Sequence, residues 1–371
     1  MSTSNAPTKM KALVYRDANQ VEVVEKDIPT PGPGEVVVKV TTSGLCGSDL
    51  HNYRAEASSF TSTGFTMGHE FTGYIHSVGP PSDSSSSEPS STPNLQVGQR
   101  VVCPFTTSCG DCWFCQRGQT GRCTKGSLIG CPKLEGAQAG YVRVLLARTT
   151  LFEAPEGMPD GHLILMADIF PTGCFVVKNA WDMLGEVERQ DATALVIGCG
   201  PVGLCAIMAA KARFSKVFAI DPVPERMEMA RKYGAIPLTQ TDGSYTASLL
   251  EQTPYGPDVV LEVVGNPSAH ALAIDLVRIG GVVASCGVHS AALTINGDTA
   301  YNKNLKFCFG RCHVRAMFPY ALGLLQKIGK ETPELLDDFV QKVVSIDEAP
   351  EYYRLFNERK IGKVVFEFSD V

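Results

Sequence analysis

The chain has no run of about 18 consecutive apolar residues, and its opening, MSTSNAPTKMKALVY, lacks the apolar centre of a signal peptide. Neither a membrane span nor export is expected, and a cytoplasmic setting follows as the default. Positive charge is also short. With 33 Lys+Arg against 39 Asp+Glu, the formal charge is −6, so no basic stripe is on hand to meet nucleic-acid phosphates. What is plentiful is apolar material, 44% of 371 residues, enough for a soluble globular chain of two domains. The 13 cysteines would signal disulfides in a secreted protein. Here they are scattered through apolar segments, as at Cys205, Cys286 and Cys308, and read as reduced core thiols apart from one dense cluster.

Over residues 9–40 the pattern predicts short strands (KMKALVY, VEVVEKDI, EVVVKV) separated by Pro/Gly turns, an all-β, barrel-like beginning. Strands are also expected over 73–78 and 99–103. Between them, Pro80–Asn94 is polar and serine-rich, and predicts a solvated surface loop. The stretch 162–181 has helical apolar spacing, with Pro171 as the expected kink. From about residue 192 strand and helix alternate, which predicts βαβ units and a parallel sheet. A helix over 319–327 and a strand over 362–367 close the chain.

Three groups of residues carry chemistry. Thr42–His51 leaves a strand and gathers Cys46, Ser48, Asp49 and His51, a set able to bind a metal, relay protons or act as a nucleophile; a buried thiol before a polar turn is the plainer alternative. His69, beside Glu70, is either a structural histidine or a partner in a metal site. Cys109, Cys112, Cys115 and Cys123, spaced C-x2-C-x2-C-x7-C, match a closed zinc site, whereas an iron–sulfur cluster would carry different spacing and a following proline. The third group is Gly198-Cys199-Gly200-Pro201-Val202-Gly203, which follows a predicted strand, opens a helix and is succeeded by Asp221 at the end of the next strand. In that context the glycines, with Pro201 and Val202, predict a dinucleotide site, the pyrophosphate resting on the helix N-terminus. Asp221 would accept from the ribose hydroxyls and repel a 2′-phosphate, favouring NAD over NADP; Arg226 weakens that preference.

A β domain containing GLCGSD and GHE, then a four-cysteine lobe, then a dinucleotide domain resembles, in this order, the zinc-dependent alcohol dehydrogenases of the medium-chain dehydrogenase/reductase superfamily. The resemblance covers nearly the whole chain. It implies a GroES-like β-barrel catalytic domain over 1–165, with its structural zinc lobe at about 103–131, a Rossmann doubly wound parallel-sheet domain over 166–305, and a return to the catalytic domain over 306–371. It also implies two zinc ions per subunit, the structural one on the four cysteines and the catalytic one on Cys46, His69 and a third ligand. ADIFPTG resembles the branch that includes the glutathione-independent formaldehyde dehydrogenases, where its Asp is that ligand; threonine/sorbitol dehydrogenase-like proteins belong to the same branch. Asp168 is therefore preferred, with Cys174 as rival. Glu70 matches an acid that in some members approaches the zinc, and Asp49 a carboxylate that orients His69. Ser48 and His51 would be the two ends of a proton relay through the cofactor ribose, and Thr172 would touch the nicotinamide. Gly47 stands where animal-type members place a basic residue on the pyrophosphate. Phe105 and Tyr53 could wall the substrate or simply pack the core. The expected reaction is hydride transfer between a small alcohol, or its aldehyde or ketone, and NAD(H), in a homodimer or homotetramer. A zinc-independent enoyl or quinone reductase and a non-catalytic NAD-binding protein are the alternatives; the first generally lacks both cysteine-bearing sets.

Overall fold

The computed structural model describes residues 7–56, 60–81, 94–240 and 244–368. Most of the serine-rich stretch Pro80–Asn94 lies outside the described residues. In chain order the strands are β1 (Lys9–Asp17), β2 (Gln20–Asp27), β3 (Val36–Leu45), β4 (Phe71–Val78), β5 (Arg100–Cys103), β6 (Tyr141–Val144), β7 (Phe152–Glu153), β8 (Thr193–Ile197), β9 (Lys216–Ile220), β10 (Ile236–Pro237), β11 (Val259–Glu262), β12 (Val282–Ser285), β13 (Lys306–Phe309), β14 (Val340–Ser345) and β15 (Lys363–Glu367). The chain divides into two compact units. The first takes Met1–Asp168, His313–Leu322 and Lys327–Val371, and the second Ile169–Cys312 and Gly323–Gln326. Among the described residues no single helix is long and apolar enough to cross a membrane.

In the first unit a seven-stranded sheet runs β14-β15-β3-β4-β5-β7, with β6 also on β3, beside a β1-β2 hairpin. β3 is almost wholly buried, as its run of valines requires of a strand covered on both faces. Register is what positions the chemistry. β15 pairs antiparallel with β3 so that Val364 faces Leu45, and β4 pairs antiparallel so that Phe71 faces Ser43. The end of β3 and the starts of β4 and β15 therefore meet, bringing Cys46, Glu70 and Lys363 to one place.

The second unit is a parallel sheet ordered β10-β9-β8-β11-β12-β13, the doubly wound order whose direction of winding reverses between β8 and β11. The glycine-rich turn leaves the end of β8, at that switch point. Gly173 lets the helix Ile169–Asp182 approach the helix Pro201–Lys211, since a Cβ there would lie 2.6 Å from the Ala206 nitrogen.

Three expectations are corrected. The helical stretch around residue 168 does not kink at Pro171. It breaks at Asp168 (φ −150°, ψ −68°), between the 3-10 turn Ile164–Ala167 and the helix Ile169–Asp182. Pro171 falls in the first turn of that helix, where its missing N–H has no partner to lose. The long helix expected from Pro319 starts five residues earlier and spans Val314–Glu331, with Pro319 inside it. The second unit also outlasts residue 305, because β13 is its edge strand, paired in parallel with β12. A four-residue apolar strand reads alike whichever sheet it joins, and only pairing decides.

Candidate metal and cofactor sites

Cys46 directly follows β3 and opens the turn into the helix Asp49–Tyr53, His69 and Glu70 precede β4, and Asp168 occupies the helix break. One ligand atom from each of these four lies within 4.8 Å of the others, and all four residues are buried. The Asp168 Oδ2 atom is 3.6 Å from Cys46 Sγ and 3.3 Å from His69 Nε2, close to the about 3.3–3.8 Å between ligands of tetrahedral zinc. Cys174, the rival third ligand, is not in this group. It is fully buried in the second unit, and burial pushes its thiol up to about 12.

The electrostatics call for a cation. Burial, then Glu70 and Asp168, push the Cys46 thiol up. Burial disfavours a charged His69, yet Asp49, Asp168 and Cys46 outweigh it and raise the ring well above the ordinary 6.5. A thiol, an imidazole and two carboxylates buried together are a donor set whose chemistry fits zinc. Asp49 is tied in on both sides: Oδ1 is 3.2 Å from His69 Nδ1, and Oδ2 accepts from the Cys46 N–H at 3.0 Å. The Ser48 hydroxyl borders the cluster, 3.3 Å from Cys46 Sγ and 3.2 Å from His69 Nε2. The Phe105 ring stands edge-on to His69 at 6.0 Å, whereas Tyr53 packs on Tyr353 in the core.

Two residues here escaped the sequence reading. Lys363 forms a fully buried ion pair with Glu70 Oε2 and donates to the Leu45 carbonyl at 3.1 Å. Among the described residues Glu70 Oε1, also buried, has no hydrogen-bond partner. A Cβ on Gly44 would overlap this pair, so glycine is required there. A lysine in a terminal strand reads as an exposed edge residue, and nothing local marks Lys363 as buried. Glu56, whose Oε2 is 2.5 Å from His51 Nδ1, is the second.

The lobe cysteines Cys109, Cys112, Cys115 and Cys123 also converge within 4.8 Å. Their sulfurs approach to 3.4 Å for Cys109–Cys123 and 3.9 Å for Cys112–Cys123, near the about 3.8 Å edge of a zinc tetrathiolate. Backbone N–H groups of Cys115 and Thr124 pull the Cys112 thiol down to about 6, while burial pushes Cys115 up to about 11 and Cys109 up as well; the Cys109 N–H donates to Cys123 Sγ at 3.2 Å. Sulfurs supplied with donors in this way suit thiolate ligands. Cys103 and Cys131 lie in the core, outside both groups.

In the second unit Gly198 adopts φ +98°, and its Cβ would lie 2.6 Å from Val264 Cγ2, while a Cβ on Gly203 would overlap the Gly198 carbonyl. These two glycines fold the turn and seat the helix, whose N-cap is Gly200 with Pro201 and Val202 in the first turn. Among the described residues a Cβ at Gly200 would meet only Arg226 Nη1, at 3.9 Å. That leaves a cradle against a helix N-terminus, which fits a pyrophosphate. Asp221 follows β9 and accepts from the Cys199 N–H at 2.8 Å and the Val223 N–H at 2.9 Å. Arg226 Nη1 stands 3.7 Å from its Oδ2. Thr172 is buried in the first turn of the helix Ile169–Asp182. A Cβ on Gly47 would meet nothing within 4 Å among the described residues.

Comparison with known proteins agrees with this architecture. The family described as alcohol dehydrogenase GroES-like domain matches residues 32–156, and that described as zinc-binding dehydrogenase matches residues 201–327. The zinc-type alcohol dehydrogenase B of Aspergillus flavus is 41% identical over 375 residues, covering 100% of this chain and 83% of the relative. Among solved structures, the alcohol dehydrogenase TADH from Thermus sp. ATN1 superposes with a TM-score of 0.83 at 33% identity, covering 96% of this chain and 99% of that one. An Escherichia coli CFT073 alcohol dehydrogenase complexed with NADH gives 0.81 at 25% identity, covering 98% and 100%. The chain belongs to the zinc-type alcohol dehydrogenases of the medium-chain dehydrogenase/reductase superfamily. It is an oxidoreductase of the alcohol–carbonyl class, with the GroES-like and Rossmann-type domains of that family.

Proposed function

We propose that this chain exchanges a hydride between a small alcohol, or its aldehyde or ketone, and NAD(H), with a catalytic zinc on Cys46, His69 and Asp168 and a structural zinc on the four lobe cysteines. The observation that carries this reading is the convergence of three buried, chemically different donors drawn from residues 46, 69 and 168. Zinc held there would supply a Lewis acid for the substrate oxygen, and a bound nicotinamide would supply the hydride chemistry. The rest is done by side chains. Asp49 accepts from His69 Nδ1, which leaves Nε2 turned to the cluster. Ser48 Oγ takes the hydroxyl proton of the substrate, and His51, whose side chain is 22% exposed, passes it toward solvent. Asp221 is held by two backbone N–H groups, and its negative charge favours ribose hydroxyls over a 2′-phosphate, hence NAD over NADP, with Arg226 tempering the preference. A cytoplasmic homodimer or homotetramer acting on a small molecule is the setting proposed.

Metal analysis with a coupled NADH assay over primary, secondary and polyol alcohols tests this. Two zinc ions per chain are expected, and Cys46→Ala should keep one and lose turnover. Undiminished turnover in that variant overturns the reading. Asp221→Ser should move the KM ratio toward NADP, and an unchanged ratio removes the ribose assignment.

A further inference from the structure

We propose that Glu56 is a positioning residue for His51, holding the imidazole proton on Nδ1 and leaving Nε2 as the basic nitrogen that receives and releases the proton. This rests on the reading of Ser48 and His51 above and adds a residue to it.

The backbone explains why Glu56 is where it is. The short helix Asp49–Tyr53 ends in a reversal in which the Ala55 N–H donates to the Asn52 carbonyl at 2.9 Å and the Glu56 N–H to the His51 carbonyl at 3.0 Å. This paired closure puts the intervening residue in the left-handed region, where glycine is usual. Here that residue is Ala55, at φ 51°, and the strain of a Cβ in that conformation is tolerated. The chain then turns back over His51, and Glu56 Oε2 comes within 2.5 Å of His51 Nδ1. The other oxygen accepts from Arg54 Nη1 at 3.3 Å, and Arg54 is itself anchored by its Nε on Asn357 Oδ1 at 2.6 Å. The carboxylate is thus held from both sides.

An ionised carboxylate only accepts, so its partner nitrogen must carry the hydrogen. Burial pushes the Glu56 carboxyl up, but His51 and Arg54 outweigh it and hold the group below the ordinary 4.5, ionised at neutral pH. In the neutral ring the other nitrogen, Nε2, is then the acceptor. A proton arriving at Nε2 makes an imidazolium whose charge faces Glu56; the same nitrogen returns that proton to water, and Glu56 itself is never protonated. The logic is that of a base kept in one tautomer by a carboxylate behind it.

The test is a long-range proton–nitrogen spectrum of the full-length, zinc-loaded protein labelled at histidine, with His51 assigned by its loss in His51→Gln. Wild type should show the proton on Nδ1. In Glu56→Gln the amide carbonyl is expected to take the Arg54 N–H and turn its NH2 toward Nδ1, which forces the proton to Nε2. Alcohol kcat should fall about ten-fold in that variant, with KM and zinc content unchanged. Glu56→Ala should lose the fixed Nδ1 proton without losing zinc. A wild-type ring protonated at Nε2, or a ring that keeps its Nδ1 proton in Glu56→Ala, overturns the proposal. Unchanged turnover in His51→Gln overturns instead the part of the earlier reading that routes the proton through His51, while the spectra still decide what Glu56 does.

Discussion

The two cysteine-bearing clusters of the first unit are built in opposite ways. The lobe draws four like donors from residues 109–123, most of them only half-buried, and holds its sulfurs with its own backbone N–H groups. The other cluster draws a thiol, an imidazole and two carboxylates from residues 46, 69, 70 and 168, buries all of them, and needs Lys363 to balance one carboxylate. A closed site of like donors can be made by one stretch of chain, because local spacing already sets its geometry. An open site of mixed donors needs groups that cannot all follow one another in sequence, so the fold must assemble it. The difference teaches which of the two will tolerate a change made far away.

The largest contrast is expected at the third ligand. Asp168→Ala should remove one of two zinc ions and lower alcohol turnover by about a thousand-fold or more, whereas Cys174→Ala should keep both metals and lose only the stability of a filled core. The reverse pattern, read by metal analysis and assay, would move the catalytic cluster away from Asp168. Next is Lys363→Met. Leaving Glu70 buried without its cation should cost about 3–5 kcal/mol, seen as a lower denaturant midpoint, and should disturb the buried cluster while leaving the lobe's zinc in place. A midpoint like that of wild type would mean that the buried cluster does not depend on the far end of the chain. Cys112→Ser should act in the opposite sense, releasing the lobe zinc and reducing stability while the other zinc and the NAD-linked activity per folded molecule persist. The smallest contrast is between two glycines. Gly44→Ala collides with Glu70 and Lys363 and should lower stability by about 1–3 kcal/mol, while Gly118→Ala, at φ 72° in the lobe, should lose only about 1 kcal/mol. Equal losses would show that the buried pair yields as easily as a surface turn.

Legibility followed the same division. The lobe and the glycine fingerprint could be read because each is one continuous stretch whose spacing is its geometry. β1, β2, β4, β5 and β15 were legible from alternation and Pro/Gly turns, to within two residues, whereas β3 runs on to Leu45 and β6, β7 and β14 were not anticipated. Pro171 was misjudged because proline breaks a helix only where its missing N–H or its ring conflicts with the preceding turn, and at the start of a helix neither applies. Lys363 and Glu56 carried no signal at all. One depends on the pairing of β15 with β3, and the other on a left-handed alanine that no residue type announces.

The order of motifs, from the Cys46 turn through the four-cysteine lobe to the glycine turn before Asp221, determined by itself the family and the two kinds of domain. Only the tertiary structure decided that Asp168 breaks its helix beside Cys46 and His69, that Lys363 pairs with Glu70, and that Glu56 folds back on His51. The reason is physical: a ligand spacing or a turn is written in neighbouring residues, but burial and charge pairing belong to groups that meet only once the sheet has taken its register.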